Sequence, residues 1–202
     1  HQITIDSEFS KKKIKFKFTD KIKGEKNLKL EIPSLGVYLD SIFEPTSTLK
    51  KVIGKSQIKL FDSIITVNFE GKERFKIYES FFRNKFINSK IDGEVSFADN
   101  FFFDLNLGVN QINLRKLILY YFSPGKNYNF LTSGVSKKIN GKFEIYSKNI
   151  NSFIGRMTDT KMSLVFENGD IKIENGSAIL PHDSKVNFNI LHTDNQNQKE
   201  PL

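Results

Sequence analysis

At 202 residues, with 20 Phe but no Cys and no Trp, the chain can bury a core of large rings yet can form neither a disulfide nor a thiolate metal site. Its 31 Lys and Arg against 23 Asp and Glu leave a formal net charge of +8. That excess favours an anionic neighbour such as phospholipid headgroups or nucleic acid, and a Lys-rich solvated surface would carry the same charge.

The chain opens on a strand-like stretch, His1-Gln2-Ile3-Thr4-Ile5, with no initiator Met and no signal-peptide pattern. No stretch reaches the roughly eighteen apolar residues of a bilayer-crossing helix. The expectation is a piece of a longer protein whose membrane or targeting segment, if present, lies outside these residues.

Alternation of apolar and polar residues, the period of a strand with one buried face, then recurs from end to end. Ile14, Phe16 and Phe18 fall on one side of their segment, with Lys15 and Lys17 on the other; Leu28-Lys29-Leu30-Glu31-Ile32 repeats the pattern. Further strands are predicted at 57–60, 64–69, 74–78, 91–97, 101–109, 139–146, 161–167, 170–174 and 186–191. Ala98-Asp99-Asn100 and Asn168-Gly169-Asp170 read as hairpin turns, the second because Asn-Gly tolerates the positive φ that tight hairpins need.

Three short helices are predicted between the strands. Ser34 would cap one carrying Leu35, Leu39 and Ile42; Asn113 one carrying Leu114, Leu117, Ile118 and Tyr121; Asn151 a weaker one with Phe153 and Ile154. Strand followed by short helix thus recurs at 28–43, 101–122 and 141–157, as in an elongated array of one unit. Ile91-Asp92-Gly93 and Ile139-Asn140-Gly141 open matching segments 48 residues apart. Residues 1–191 are therefore expected to form a single elongated β domain, and 192–202 a polar, disordered tail.

Material for catalysis is sparse. His1, His182 and His192 lack the paired spacing of a zinc site. Gly54-Lys55-Ser56 resembles the end of a phosphate loop, but Leu49 stands where its first Gly should be, so a turn is expected. Asp92 with Glu94, and Asp99 with Asp104, read as solvated charge, and Asn175-Gly176-Ser177 as a turn rather than a glycosylation site. Lys11-Lys12-Lys13 precedes Phe16 and Phe18, yet nucleic-acid stacking needs rings and cations on one surface, whereas alternation separates them. No catalytic residue, metal, cofactor or nucleic-acid partner is expected.

A sheet with so few helices must fold onto a second sheet as a closed core, or leave an apolar groove. The stretch 91–122, with Asp92-Gly93-Glu94-Val95-Ser96-Phe97, Asp104-Leu105-Asn106-Leu107 and Ile112-Asn113-Leu114-Arg115-Lys116-Leu117, resembles AsmA-family proteins of the Gram-negative envelope. So do Asn140-Gly141-Lys142-Phe143, Leu164-Val165-Phe166-Glu167-Asn168-Gly169, and Ala178-Ile179-Leu180-Pro181 with Val186-Asn187-Phe188. Residues 1–90 match loosely, and His182 and Asp183 replace the small residues expected after Pro181. The resemblance implies a mostly β, antiparallel twisted sheet forming an open groove or half-barrel. It also implies a periplasmic protein anchored to the inner membrane, active in outer-membrane biogenesis and phospholipid transport, with acyl chains and other envelope proteins as partners. Phe101, Phe103, Leu105, Leu107, Phe143, Ile145, Leu164 and Phe166 are the expected groove lining.

Overall fold

The computed structural model describes residues 1–9, 12–21, 24–46, 51–60, 62–98, 101–121, 139–153 and 155–192, and divides into two compact units, His1–Glu94 and Val95–Leu202. The protein is mostly β. In the first unit β1 (Gln2–Phe9), β2 (Lys12–Asp20), β3 (Lys26–Ile32), β4 (Val37–Pro45), β5 (Val52–Leu60), β6 (Ser63–Gly71), β7 (Arg74–Arg83) and β8 (Ile87–Ser96, crossing the division) lie side by side in chain order. Pairing from β1 through β7 is antiparallel.

The second unit contains β9 (Phe101–Asn113), α1 (Leu114–Tyr121), β10 (Ile139–Ser152), β11 (Gly155–Glu167), β12 (Asp170–Ile179) and β13 (Lys185–His192), its strands again in chain order. Three of its pairs are antiparallel, but β9 and β10 are parallel. Two parallel neighbours need a crossover between them, and α1 follows β9 at its start. Consecutive order leaves each sheet open rather than closed into a barrel.

Local chemistry explains the turns. Asn168 and Gly169 take φ of 55° and 95°, the double positive angle of a tight hairpin. Asn113 caps α1 as expected, its Oδ1 accepting the Lys116 N–H at 2.9 Å. Gly93 and Gly141, the matched glycines of the 48-residue echo, share an extended backbone of positive φ, 138° and 147°.

Two predicted helices are not helices. After Ser34 there is one 3-10 turn, Pro33–Leu35, closed by Gly36 in the left-handed region with its N–H on the Pro33 carbonyl. Residues 37–45 then continue as β4, paired with β5 throughout. Around Asn151, β10 runs on to Ser152 and turns through Gly155 (φ 109°) into β11. The strand-to-helix unit therefore occurs once among the described residues, at β9–α1. Gly54 and Asn175 are not in turns either: Gly54 lies inside β5 and Asn175 in β12, where its φ of 52° accompanies a break in register. Asp99, Asn100, Ile154 and residues 193–202 of the expected tail lie outside the described residues.

His182 and Asp183, in the β12–β13 connection, both have positive φ, 65° and 58°, which explains why small residues were expected there. Both are exposed. Replacing His182 with glycine should therefore raise stability by roughly 0.5–1 kcal/mol, read as a higher urea midpoint; an unchanged or lower midpoint would show that the turn carries no such strain.

Candidate functional site

Strand register assigns side chains to faces, because residues opposite one another share a face and the next pair points the other way. In the second unit Phe103 stands opposite Gly141, and Gly141 opposite Phe166. The next row is Leu105, Phe143, Leu164, Ile173 and Ile190, and the one after it Leu107, Ile145 and Met162. With Phe101 opposite Ile139, all the expected lining residues lie on one face. Phe103 is buried and the others are half-buried.

The aromatic end of this face is closely packed. The Phe103 ring lies 4.6 Å from Phe143 and 5.6 Å from Phe166, and Phe101 is 5.9 Å from Phe103. Such pairs are favoured by ring quadrupoles as well as by area. The space comes from Gly141, where a Cβ would sit 2.1 Å from the Phe103 carbonyl oxygen and 2.8 Å from its ring. The same device recurs at Gly176 under Phe188 and, in the first unit, at Gly54 under Phe69, where an added Cβ would in each case sit 2.5 Å from the ring.

The first unit carries an equivalent face that the sequence reading did not nominate residue by residue. Ile5, Phe16, Leu30, Leu39, Ile58, Ile65 and Phe82 form one unbroken apolar row across seven strands. One register position away on the opposite face runs Asp6, Lys15, Glu31, Tyr38, Lys59, Ile64 and Arg83. Lys15 and Lys17 thus stand on the face opposite Phe16 and Phe18.

Each apolar face also holds a buried hydroxyl beside a bulge. Glu79 and Asp159 both have φ of 44°, and the residues that follow, Ser80 and Thr160, are fully buried. Pairing registers shift at both places. Ser80 Oγ accepts the Asn68 N–H at 2.9 Å and donates to the Tyr78 carbonyl at 2.9 Å, so it satisfies groups freed by the bulge. The Thr160 hydroxyl has no hydrogen-bond partner. No local signal marks these bulges in the sequence, since an extra residue in a strand resembles a lapse in alternation.

The polar faces hold ordinary surface charge. Burial would raise the Asp40 carboxyl, but hydrogen bonds from Lys29 (2.9 Å) and Asn27 (3.0 Å), with the Lys29 charge, outweigh it and hold the group below its usual value. Lys142 is raised by its hydrogen bond to Glu144 and by the Asp104 charge, 3.3 and 3.7 Å away. Among the described residues no three His, Asp or Glu side chains could hold a metal ion, and no helix is long and apolar enough to cross a membrane.

Among the described residues the buried apolar side chains are Ile77, Phe86, Phe103, Ile150 and Ala178, and most other members of the apolar rows are partly buried. No family model matches the chain, and no curated protein or solved structure matches it. The resemblance to AsmA-family proteins therefore rests on the sequence motifs alone and remains an expectation.

Proposed function

We propose that the chain is a non-catalytic, lipid-handling segment of an envelope protein. In this reading its apolar sheet faces hold phospholipid acyl chains during transfer between inner and outer membranes or during outer-membrane assembly. The full-length protein would be periplasmic and held to the inner membrane by an anchor outside this chain. The observation that carries the reading is a continuous apolar face: rows such as Leu105, Phe143, Leu164 and Ile173 run unbroken across the strands, and among the described residues they are only partly buried. A closed core would need a second layer over these rows, and within each unit the strands form one sheet in chain order.

Large exposed apolar surfaces mark binding sites in soluble proteins. Each buried methylene contributes about 0.8 kcal/mol, so about ten methylenes of an acyl chain laid along a row supply roughly 8 kcal/mol before ordering costs. Lipid extraction and mass spectrometry of the purified chain test the reading. Phospholipid should co-purify in stoichiometric amount; preparations repeatedly free of lipid would refute it.

A further inference from the structure

We propose that the tip of the β10–β11 hairpin docks on an anionic bilayer surface, Phe153 entering the headgroup region while the cations around it meet lipid phosphates. Ser152 and Gly155 are the last pair of the ladder, and the two residues between them in the sequence are Phe153 and Ile154. Connections of that length ordinarily take Asn-Gly, Asp-Gly or Gly, which suit both the positive backbone angles and the water around a turn. Two large apolar residues serve neither purpose. Phe153 is 56% exposed, and it stands between two paired strands of the Val95–Leu202 unit.

Charge around this tip is mostly of one sign. Asn113 stands opposite Asn151 in the parallel β9–β10 pair, so α1 starts beside the tip, and the Arg115 guanidinium lies over the Phe153 ring at 5.9 Å. The β12–β13 connection approaches as well, since a Cβ on Gly155 would stand 3.0 Å from the Pro181 ring. Together the start of α1, the tip and this connection present Arg115, Lys116, Arg156 and Lys185, all exposed, against the carboxylate of Asp183. Arg156 donates to Asn149 Oδ1 from Nε at 2.8 Å and from Nη2 at 2.5 Å; that partner is neutral, so the guanidinium is fixed without being neutralised.

An apolar ring amid Lys and Arg is the chemistry of a surface that lies on an anionic membrane. The ring supplies apolar burial, each cation adds attraction, and the long stems keep the charges at phosphate level as the ring descends. A protein partner could also bury the ring, but it would need carboxylates placed to match four separate cations, whereas an anionic bilayer offers phosphates at any spacing. The tip is braced beforehand, Ser152 Oγ donating to the Gly155 carbonyl at 2.8 Å, which limits the ordering lost on docking. This docking goes beyond the carriage of acyl chains and does not rest on it, because the tip can meet a bilayer whether or not the sheet holds lipid.

The chain has no Trp, so Phe153→Trp supplies a sole fluorescent reporter at the tip. With vesicles of phosphatidylglycerol and phosphatidylcholine in equal parts, its emission should shift to the blue and be quenched by lipids brominated near the headgroup. Vesicles of phosphatidylcholine alone should leave it unchanged. In co-sedimentation of the 202-residue chain with the anionic vesicles, Phe153→Asp should weaken binding about tenfold or more. Lys116→Gln and Lys185→Gln should each weaken it about fivefold, and raising salt from about 0.05 to about 0.5 M should weaken it severalfold. Far-UV circular dichroism should be unchanged in these variants, because all three side chains are exposed. No vesicle binding, equal binding to neutral and anionic vesicles, an emission that does not move when vesicles bind, or Phe153→Asp binding like the parent would each overturn the proposal. Co-purified lipid is measured separately, so failure of this docking and failure of lipid carriage are told apart.

Discussion

Gly141→Val is expected to unfold the Val95–Leu202 unit or bring it close to unfolding. Any Cβ at this position meets the Phe103 carbonyl at 2.1 Å, and the backbone φ of 147° is one that side-chain-bearing residues rarely adopt. Overpacking costs about 1–3 kcal/mol and backbone strain about as much again. Their sum, roughly 4 kcal/mol, is a large part of the ~5–15 kcal/mol that holds a typical domain together. The neighbouring strand cannot easily yield, because Phe103 is wedged against both Phe143 and Phe166. Chemical denaturation should show a strongly lowered midpoint or no cooperative transition, and a midpoint equal to the parent's would mean that this contact does not organise the sheet.

The second large effect concerns ligand rather than stability. Leu105→Asp combined with Leu164→Asp places two carboxylates in one transverse row, separated by Phe143. Both leucines are only partly buried, so the carboxylates can reach water and the sheet should survive. An acyl chain crossing that row would have to strip water from them, a cost of several kcal/mol. Co-purifying lipid should fall about tenfold or more while circular dichroism is retained; lipid content equal to the parent's would place the chains elsewhere or nowhere on this face.

Alternation made most strands legible, and one face of each followed from it. Phe101, Phe103, Leu105 and Leu107 could be grouped with one another, and Phe143 with Ile145, because each set lies at every second position of its own strand; that the two sets share a face followed only from the register. Asn113 and Asn168-Gly169 were readable because capping and tight turns depend on a few adjacent residues. Residues 37–45 were not. Leu35, Leu39 and Ile42 have helical spacing, yet Val37, Leu39, Ser41 and Phe43 alternate equally well, and Gly36 ends the helix after one turn. The parallel β9–β10 pair was also hidden, since the direction of a neighbour is set by where a connection returns.

Local order along the chain therefore determined that the protein is mostly β, which residues share a face within each strand, and that cations stand opposite aromatic rings. Those properties depend only on the two-residue period of an extended backbone. Tertiary structure alone decided which strands are neighbours, that Phe103 lies over Gly141, and that Ser80 and Thr160 are buried beside bulges. Each of these is a relation between residues distant in sequence, fixed by strand register, and no local pattern encodes it.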